Sequence, residues 1–279
     1  MAYKSLLTVI TDANQSVPAL SQMAALANAQ DAHAEALCLG VDRSQTGYYY
    51  AGANALILQE TLNRANAEAE EVLTFAKDYL GKTGTRWSAE SGVAQIADIG
   101  RHVAHRARFS DLVIMPQPYG PDRGPEAEPI IEAAMFEGHA PVLVTPKDAT
   151  PFERPKTILL GWNESVEAMR AIRRALPFLI QADLARIVVI DPPRHGPDRS
   201  DPGGMLSQML ARHGVKCEID VLSKTMTRVS DILNRHAADT SADMIVMGAY
   251  GHSRFREAIL GGATRNMLEQ ASVPVFLAH

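Results

Sequence analysis

Along the second half of the chain, short unbroken apolar runs alternate with longer stretches in which apolar residues return every three or four positions. The unbroken runs predict strands at Thr157–Trp162, Arg186–Asp191, Lys216–Leu222, Met244–Met247 and Val273–Ala278. The periodic stretches predict helices at Ser165–Leu179, Pro202–His213, Val229–Thr240 and Ala263–Gln270. Runs such as "IVVID" and "MIVM" are apolar at consecutive positions, as expected of parallel strands covered on both faces. Strands joined through helices imply right-handed crossovers and a parallel sheet. The first half reads the same way, with a longer second helix across "NALILQETLNRANAEAEEVLTFAKDYLG".

The pattern also repeats. "SDLVIMPQPYG" from Ser110 matches "ADMIVMGAYG" from Ala242, and "APVLVTP" from Ala140 matches "VPVFLAH" from Val273. "YKSLLTVITD" from Tyr3 is echoed by "PKTILLGWNES" from Pro155. A repeat of about half the chain means a duplicated domain rather than a solenoid. Between the copies, "PKDATPFERP" (Pro146–Pro155) carries prolines and charges and reads as a linker. Two tandem doubly wound α/β domains are expected, over residues 1–147 and 155–279.

Composition narrows the function. The chain has 279 residues, a length that suits two domains, with 46% apolar and 21% charged. The formal net charge is −5 with the two signs interspersed, which argues against a nucleic-acid binder. The start "MAYKSLLTVITDAN" lacks a basic segment followed by a long apolar run, and no apolar run approaches the ~20 residues that span a bilayer. A soluble cytoplasmic protein with no membrane partner is the expectation. Cys38 and Cys217 are too few for a disulfide framework or a zinc site, and both are expected as small buried hydrophobes.

The candidate chemistry lies in four glycines. Gly248 and Gly251 follow the strand "MIVM"; after nine residues, Gly261 and Gly262 precede the helix "ATRNMLEQ". Without a Cβ the backbone can approach a ligand closely and turn its N–H groups toward a phosphate, beside a helix N-terminus. In open parallel sheets ligands gather beyond the C-terminal strand ends. Taken singly, these glycines read better as turn and helix-end residues than as a ligand site. No Gly-Lys-Ser/Thr follows, so this is not a P-loop, and the glycines are not packed into one βα turn as in a dinucleotide fingerprint.

As a whole, "VMGAYGHSRFREAILGGATRNML" resembles the nucleotide loop of the universal stress protein family, Gly-x2-Gly-x9-Gly-(Ser/Thr). The resemblance extends over both halves. It implies a tandem member built of two five-stranded parallel domains, Rossmann-like and of the adenine nucleotide alpha hydrolase type, packed as a pseudo-dimer. It also implies ATP, or ADP or AMP, as a regulatory ligand in stress response, with Mg2+ accompanying the triphosphate. Turnover would be at most slow, and a homodimer and an unidentified protein partner are implied. Carried over by position, Gly248, Gly251, Gly261, Gly262 and Ala263 would line the phosphate and ribose side, with Met247 at the strand end. Asn163 stands where the family usually has an Asp that meets the nucleoside. Val189 would lie against the adenine, and Gly161 and Trp162 would border the mouth. Gly262 departs from the pattern, since Ser or Thr is common there. His252, Ser253, Arg254, Thr264 and Arg265 are candidates to replace the missing hydroxyl.

The first half departs further. After "LVIM" comes "PQPYGPDRGPEAEPIIEAAM", with Pro116 aligned to Gly248 and Pro118, Pro121 and Pro125 beyond it. Proline has no N–H to offer a phosphate. Glu126 and Glu128 suit the start of a helix but would repel an anion. Asp12 is retained near the first strand's exit. This half is expected to have lost the nucleotide and to serve a structural or signalling role.

Other features weigh less. Tyr48, Tyr49 and Tyr50 read as a packed loop or a contact surface. His102 and His105 read as a solvated helix face rather than a metal site. "DPPRHGPDRSDPGG", from Asp191, is a mobile connector or a cover for the mouth. No catalytic triad, no carboxylate pair for Mg2+ and no general base stands beside the glycine loop, so an enzyme ranks below a binding protein. The rival reading is a nucleotide-free interaction protein acting through dimer surfaces.

Overall fold

The computed structural model describes residues 2–43, 54–120, 123–192, 201–249 and 262–279, with residues 54–58 described in backbone only. The chain divides into two compact units, Tyr3–Ala140 and Pro141–His279, the latter joined by the first residues.

The first unit runs β1 (Ser5–Ile10), α1 (Ala13–Gln30), β2 (His33–Asp42), α2 (Asn54–Leu80), β3 (Arg86–Gln95), α3 (Ile99–Ala107), β4 (Leu112–Pro116) and α4 (Ala127–Glu132), which continues as a π-helical turn, Ala133–Glu137. Its strands lie in the order β3-β2-β1-β4, and the pairings of β1 with β2 and β4, and of β2 with β3, are parallel. Leu6 to Ile10 of β1 are all buried, the signature of a strand covered on both faces. At the strand's exit the Asp12 carboxylate accepts from the Gln15 amide at 2.9 Å and caps α1, so strand and helix join with almost no loop.

The second unit runs β5 (Val142–Thr145), β6 (Thr157–Trp162), α5 (Val166–Arg174), α6 (Leu176–Leu179), β7 (Leu184–Ile190), α7 (Gly204–Arg212), β8 (Cys217–Leu222), α8 (Val229–Asp239), β9 (Met244–Gly248), α9 (Ala263–Gln270) and β10 (Val275–Ala278). The strand order is β5-β10-β9-β6-β7-β8. From β10 to β8 the pairing is parallel, whereas β5 runs antiparallel to β10, with Leu143 opposite Phe276. β5 thus covers the edge of the final strand, which would otherwise offer unpaired N–H and C=O groups. Phe178 joins the layers, meeting Phe152 and Phe276 edge-on with ring centroids 6.1 Å away in each case.

The doubly wound, mostly parallel α/β architecture is the expected one. The helix expected over Ser165–Leu179 is instead two, α5 and α6, meeting at Ala175. Pro177 is the reason: it lacks an N–H for the preceding turn and is tolerated only in the first turn of a new helix. Cys38 is fully buried in β2, its thiol donating to the Val72 carbonyl at 3.6 Å. Cys217 departs from expectation. It is half-buried beside Ser207, because β8 is an edge strand with neighbours on one side only. His102 and His105 are exposed on α3. Among the described residues no helix is long and apolar enough to cross a membrane.

Candidate functional site

In the second unit the C-terminal ends of β6, β7 and β9 form one ledge. Gly161 pairs with Met247 on one side and Val188 on the other, and Trp162 pairs with Val189. Past Trp162 the chain turns at once into α5. The Asn163 side-chain oxygen accepts from the Ser165 amide at 3.2 Å, Glu164 takes a left-handed conformation (φ 61°), and the Ser165 hydroxyl oxygen accepts from the Ala168 amide at 3.1 Å. Asn163 thus helps to build the turn. Val189 and Met247 are buried in the ledge.

Gly248 closes β9 opposite Ala278 of β10. A Cβ there would stand 2.5 Å from the Ala168 amide nitrogen and 2.6 Å from the Glu167 carbonyl carbon. The first turn of α5 therefore requires glycine at this position whether or not a ligand is present. Gly262 is the N-cap of α9, with its carbonyl accepting from the Asn266 amide at 3.1 Å and no side chain to cap the helix. Its φ of −59° and ψ of 159° are open to any residue. Ala263 is exposed and Thr264 buried in the first turn of α9, which packs on α8.

The structure thus brings together Gly161, Trp162, Asn163, Val189, Met247 and Gly248 at the ledge, and sets Gly262, Ala263 and Thr264 at a helix start. Gly251, His252, Ser253, Arg254 and Gly261 lie outside the described residues, as do Tyr48, Tyr49, Tyr50 and residues 193–200. Among the described residues no group of three or more His, Cys, Asp or Glu side chains could hold a metal ion.

The corresponding ledge of the first unit contains what the sequence reading missed. Beyond β1 and β4 lies a cavity of about 160 Å³, bordered by Asp12, Gln15, Arg43, Arg123 and Glu126. Glu126 was expected as an acid at a helix start that repels phosphate. It is the N-cap residue of α4, but its side chain is only 4% exposed and is held in an ion pair. Its Oε1 accepts from Arg43 Nη2 at 2.7 Å, and Arg43 Nη1 reaches Glu68 at 3.1 Å. Burial works to lower the Arg43 pKa, but Glu126 and Glu68 together raise it above the ordinary arginine value. Arg123 donates to the Gln15 side-chain oxygen at 2.5 Å. Burial lowers its pKa, with Asp12 acting in the opposite sense. The two arginines come from loops with no helical or strand period, so sequence patterning gave no sign that they meet.

Residues 155–279 match the family described as Universal stress protein family. A universal stress protein of Synechocystis sp., Slr1230, is 28% identical over 136 residues, which are 48% of this chain. The match spans 45% of that relative's length, about half. Among solved structures, a universal stress protein from Archaeoglobus fulgidus DSM 4304 shares the fold, with a TM-score of 0.75 at 14% identity over 98% of this chain and 96% of that one. A putative universal stress protein from Pseudomonas aeruginosa UCBPP-PA14 has a TM-score of 0.55 at 16% identity, over 99% and 93%. The likeness to the universal stress protein family is thus carried by residues 155–279, and the solved structures extend the shared fold over the rest of the chain.

Proposed function

We propose that the second half binds an adenine nucleotide, ATP, ADP or AMP, as a regulatory ligand, and that the protein acts in stress response by binding rather than by turnover. The observation that carries this reading is the placement of the glycine pattern. Its first glycine, Gly248, ends the central parallel strand β9, and its last, Gly262, begins α9. Amides at a strand end and at a helix start suit the phosphates. The adenine would lie along Val189, and the nucleoside would meet Asn163 beside Gly161 and Trp162. Met247 would floor the site, and Gly251, His252, Ser253, Gly261, Ala263 and Thr264 would complete the phosphate side. Mg2+ would arrive with ATP. The same reading includes a cytoplasmic homodimer whose liganded form is recognised by a protein partner.

Calorimetric titration of the full chain with ATP, ADP, AMP and cyclic AMP tests this. One-to-one binding of at least one of them at micromolar to low millimolar concentration is expected. No heat and no rise in melting temperature with any of them at millimolar concentration would overturn it. Two observations favour the rival, a nucleotide-free interaction protein: α5 accounts for Gly248, and the Asn163 oxygen is engaged with Ser165. Under that rival the chain binds none of the four nucleotides while remaining folded.

A further inference from the structure

The cavity of the first unit holds two charged groups whose bonding is incomplete. Glu126 is one. Its Oε1 is satisfied by Arg43, but its Oε2 is buried and has no hydrogen-bond partner among the described residues. A carboxylate oxygen removed from water without a donor is costly, and Glu126 is one of the residues that line the cavity, so a ligand bound there could bring the donor this oxygen lacks. Arg123 is the other. Its guanidinium has a neutral partner, the Gln15 amide oxygen, and the charge of Asp12 acts on it, though Asp12 Oδ1 is engaged in capping α1. Arg43, in contrast, is already matched by two carboxylates.

The cavity thus offers an anionic acceptor at one place and a cationic fork at another. Among the described residues that border it, two arginines balance two acids, and Glu68 adds a further negative charge beside Arg43, which disfavours a polyanion. Its size points the same way: about 160 Å³ is below the ~300 Å³ at which sites for drug-sized ligands begin. Gly124 leaves room for the arrangement, since a Cβ there would overlap the Glu126 carboxylate. Val9, Met115 and Ile130 supply apolar wall between the polar groups.

We propose that this cavity binds a small zwitterion of the free α-amino-acid class, its ammonium donating to Glu126 Oε2 and its carboxylate accepting from Arg123. The first unit is then a sensor for a metabolite rather than an emptied nucleotide site. This goes beyond the nucleotide reading and does not depend on it, because every residue involved belongs to Tyr3–Ala140.

The test is a melting-temperature screen of the full chain with each of the twenty free amino acids at about 10 mM, followed by calorimetry on those that shift it. At least one should raise the midpoint by about 4 °C when present at ten times its Kd. Its N-acetyl derivative, which lacks the ammonium, and its amide, which lacks the carboxylate, should each bind at least tenfold more weakly. Glu126→Gln and Arg123→Met should each weaken the free amino acid by a similar factor. The two derivatives act on the unaltered protein, so the test stands even if a variant fails to fold. The proposal is overturned if no amino acid shifts the midpoint, or if the derivatives bind as well as the parent. It is also overturned if inorganic phosphate or AMP gives the only shift lost in Arg123→Met, which would make this an anion site.

Discussion

Gly248 and Ala168 meet so closely that the space of a Cβ on the glycine is taken by the alanine's amide nitrogen, 2.5 Å away. The obstacle is helix backbone, which does not swing aside as a side chain would. Gly248→Ala should therefore destabilise the nucleotide-free protein by about 1–3 kcal/mol through overpacking. Urea unfolding without ligand checks this. An unchanged midpoint would mean that the glycine is kept for a ligand alone.

The same position shows what could be read from sequence. The apolar runs located β6 and β9 to within a residue because strands buried on both faces have no polar position to blur them. The exits of those strands were legible too, since Asn, Ser and Gly mark turns. What the sequence did not separate is the two uses of one glycine. Close approach of a helix and close approach of a phosphate require the same missing Cβ, and only the folded chain shows that α5 fills the place. The first-unit cavity was hidden for a different reason. Arg43 and Glu126 are far apart in the chain and carry no period, so their ion pair is a product of tertiary structure alone. Pro116 and the neighbouring prolines indicated what that ledge lacks, not what it holds.

Arg43 ties Glu126 and Glu68 together, with its own side chain 41% exposed. Replacing it by Met would leave the Glu126 carboxylate buried without a cation. A loss of about 1–3 kcal/mol is expected, less than for a fully buried pair because water reaches the guanidinium. Arg43→Met combined with Glu126→Gln should recover part of that loss, giving a coupling above ~1 kcal/mol in a double-mutant cycle. Additive losses would show that solvent already screens the pair.

Cys38 makes stability depend on pH in alkali. Burial pushes its thiol up from 9.0 to about 12, with Lys77 pulling weakly the other way. Above pH 9 the unfolded chain releases this proton while the folded one retains it, so unfolding gains free energy. The stabilising effect is complete below pH 9 and fades as pH rises toward 12, at a rate on the order of 1 kcal/mol per pH unit. Denaturant midpoints of the native protein and Cys38→Ala, compared at pH 8, 9.5 and 10.5, isolate this term from other alkaline titrations. The gap between them should change by pH 10.5 in favour of the variant. Parallel curves would mean that the thiol ionises in the fold as readily as outside it.

Gly262 is the position where a hydroxyl can do two separable things. As N-cap of α9 it contributes no side chain, and its φ of −59° accepts serine without strain. Gly262→Ser should then stabilise the nucleotide-free protein by a few tenths of a kcal/mol through capping alone. If the second half binds nucleotide through this helix start, the same hydroxyl should also tighten ATP by about three- to tenfold, an added hydrogen bond to a charged group. AMP, which lacks the outer phosphates, should gain less. Calorimetry with ATP and AMP, set beside urea unfolding without ligand, reads the two effects apart. A variant that is more stable yet binds ATP no better would assign Gly262 to the helix alone and remove α9 from the proposed phosphate site.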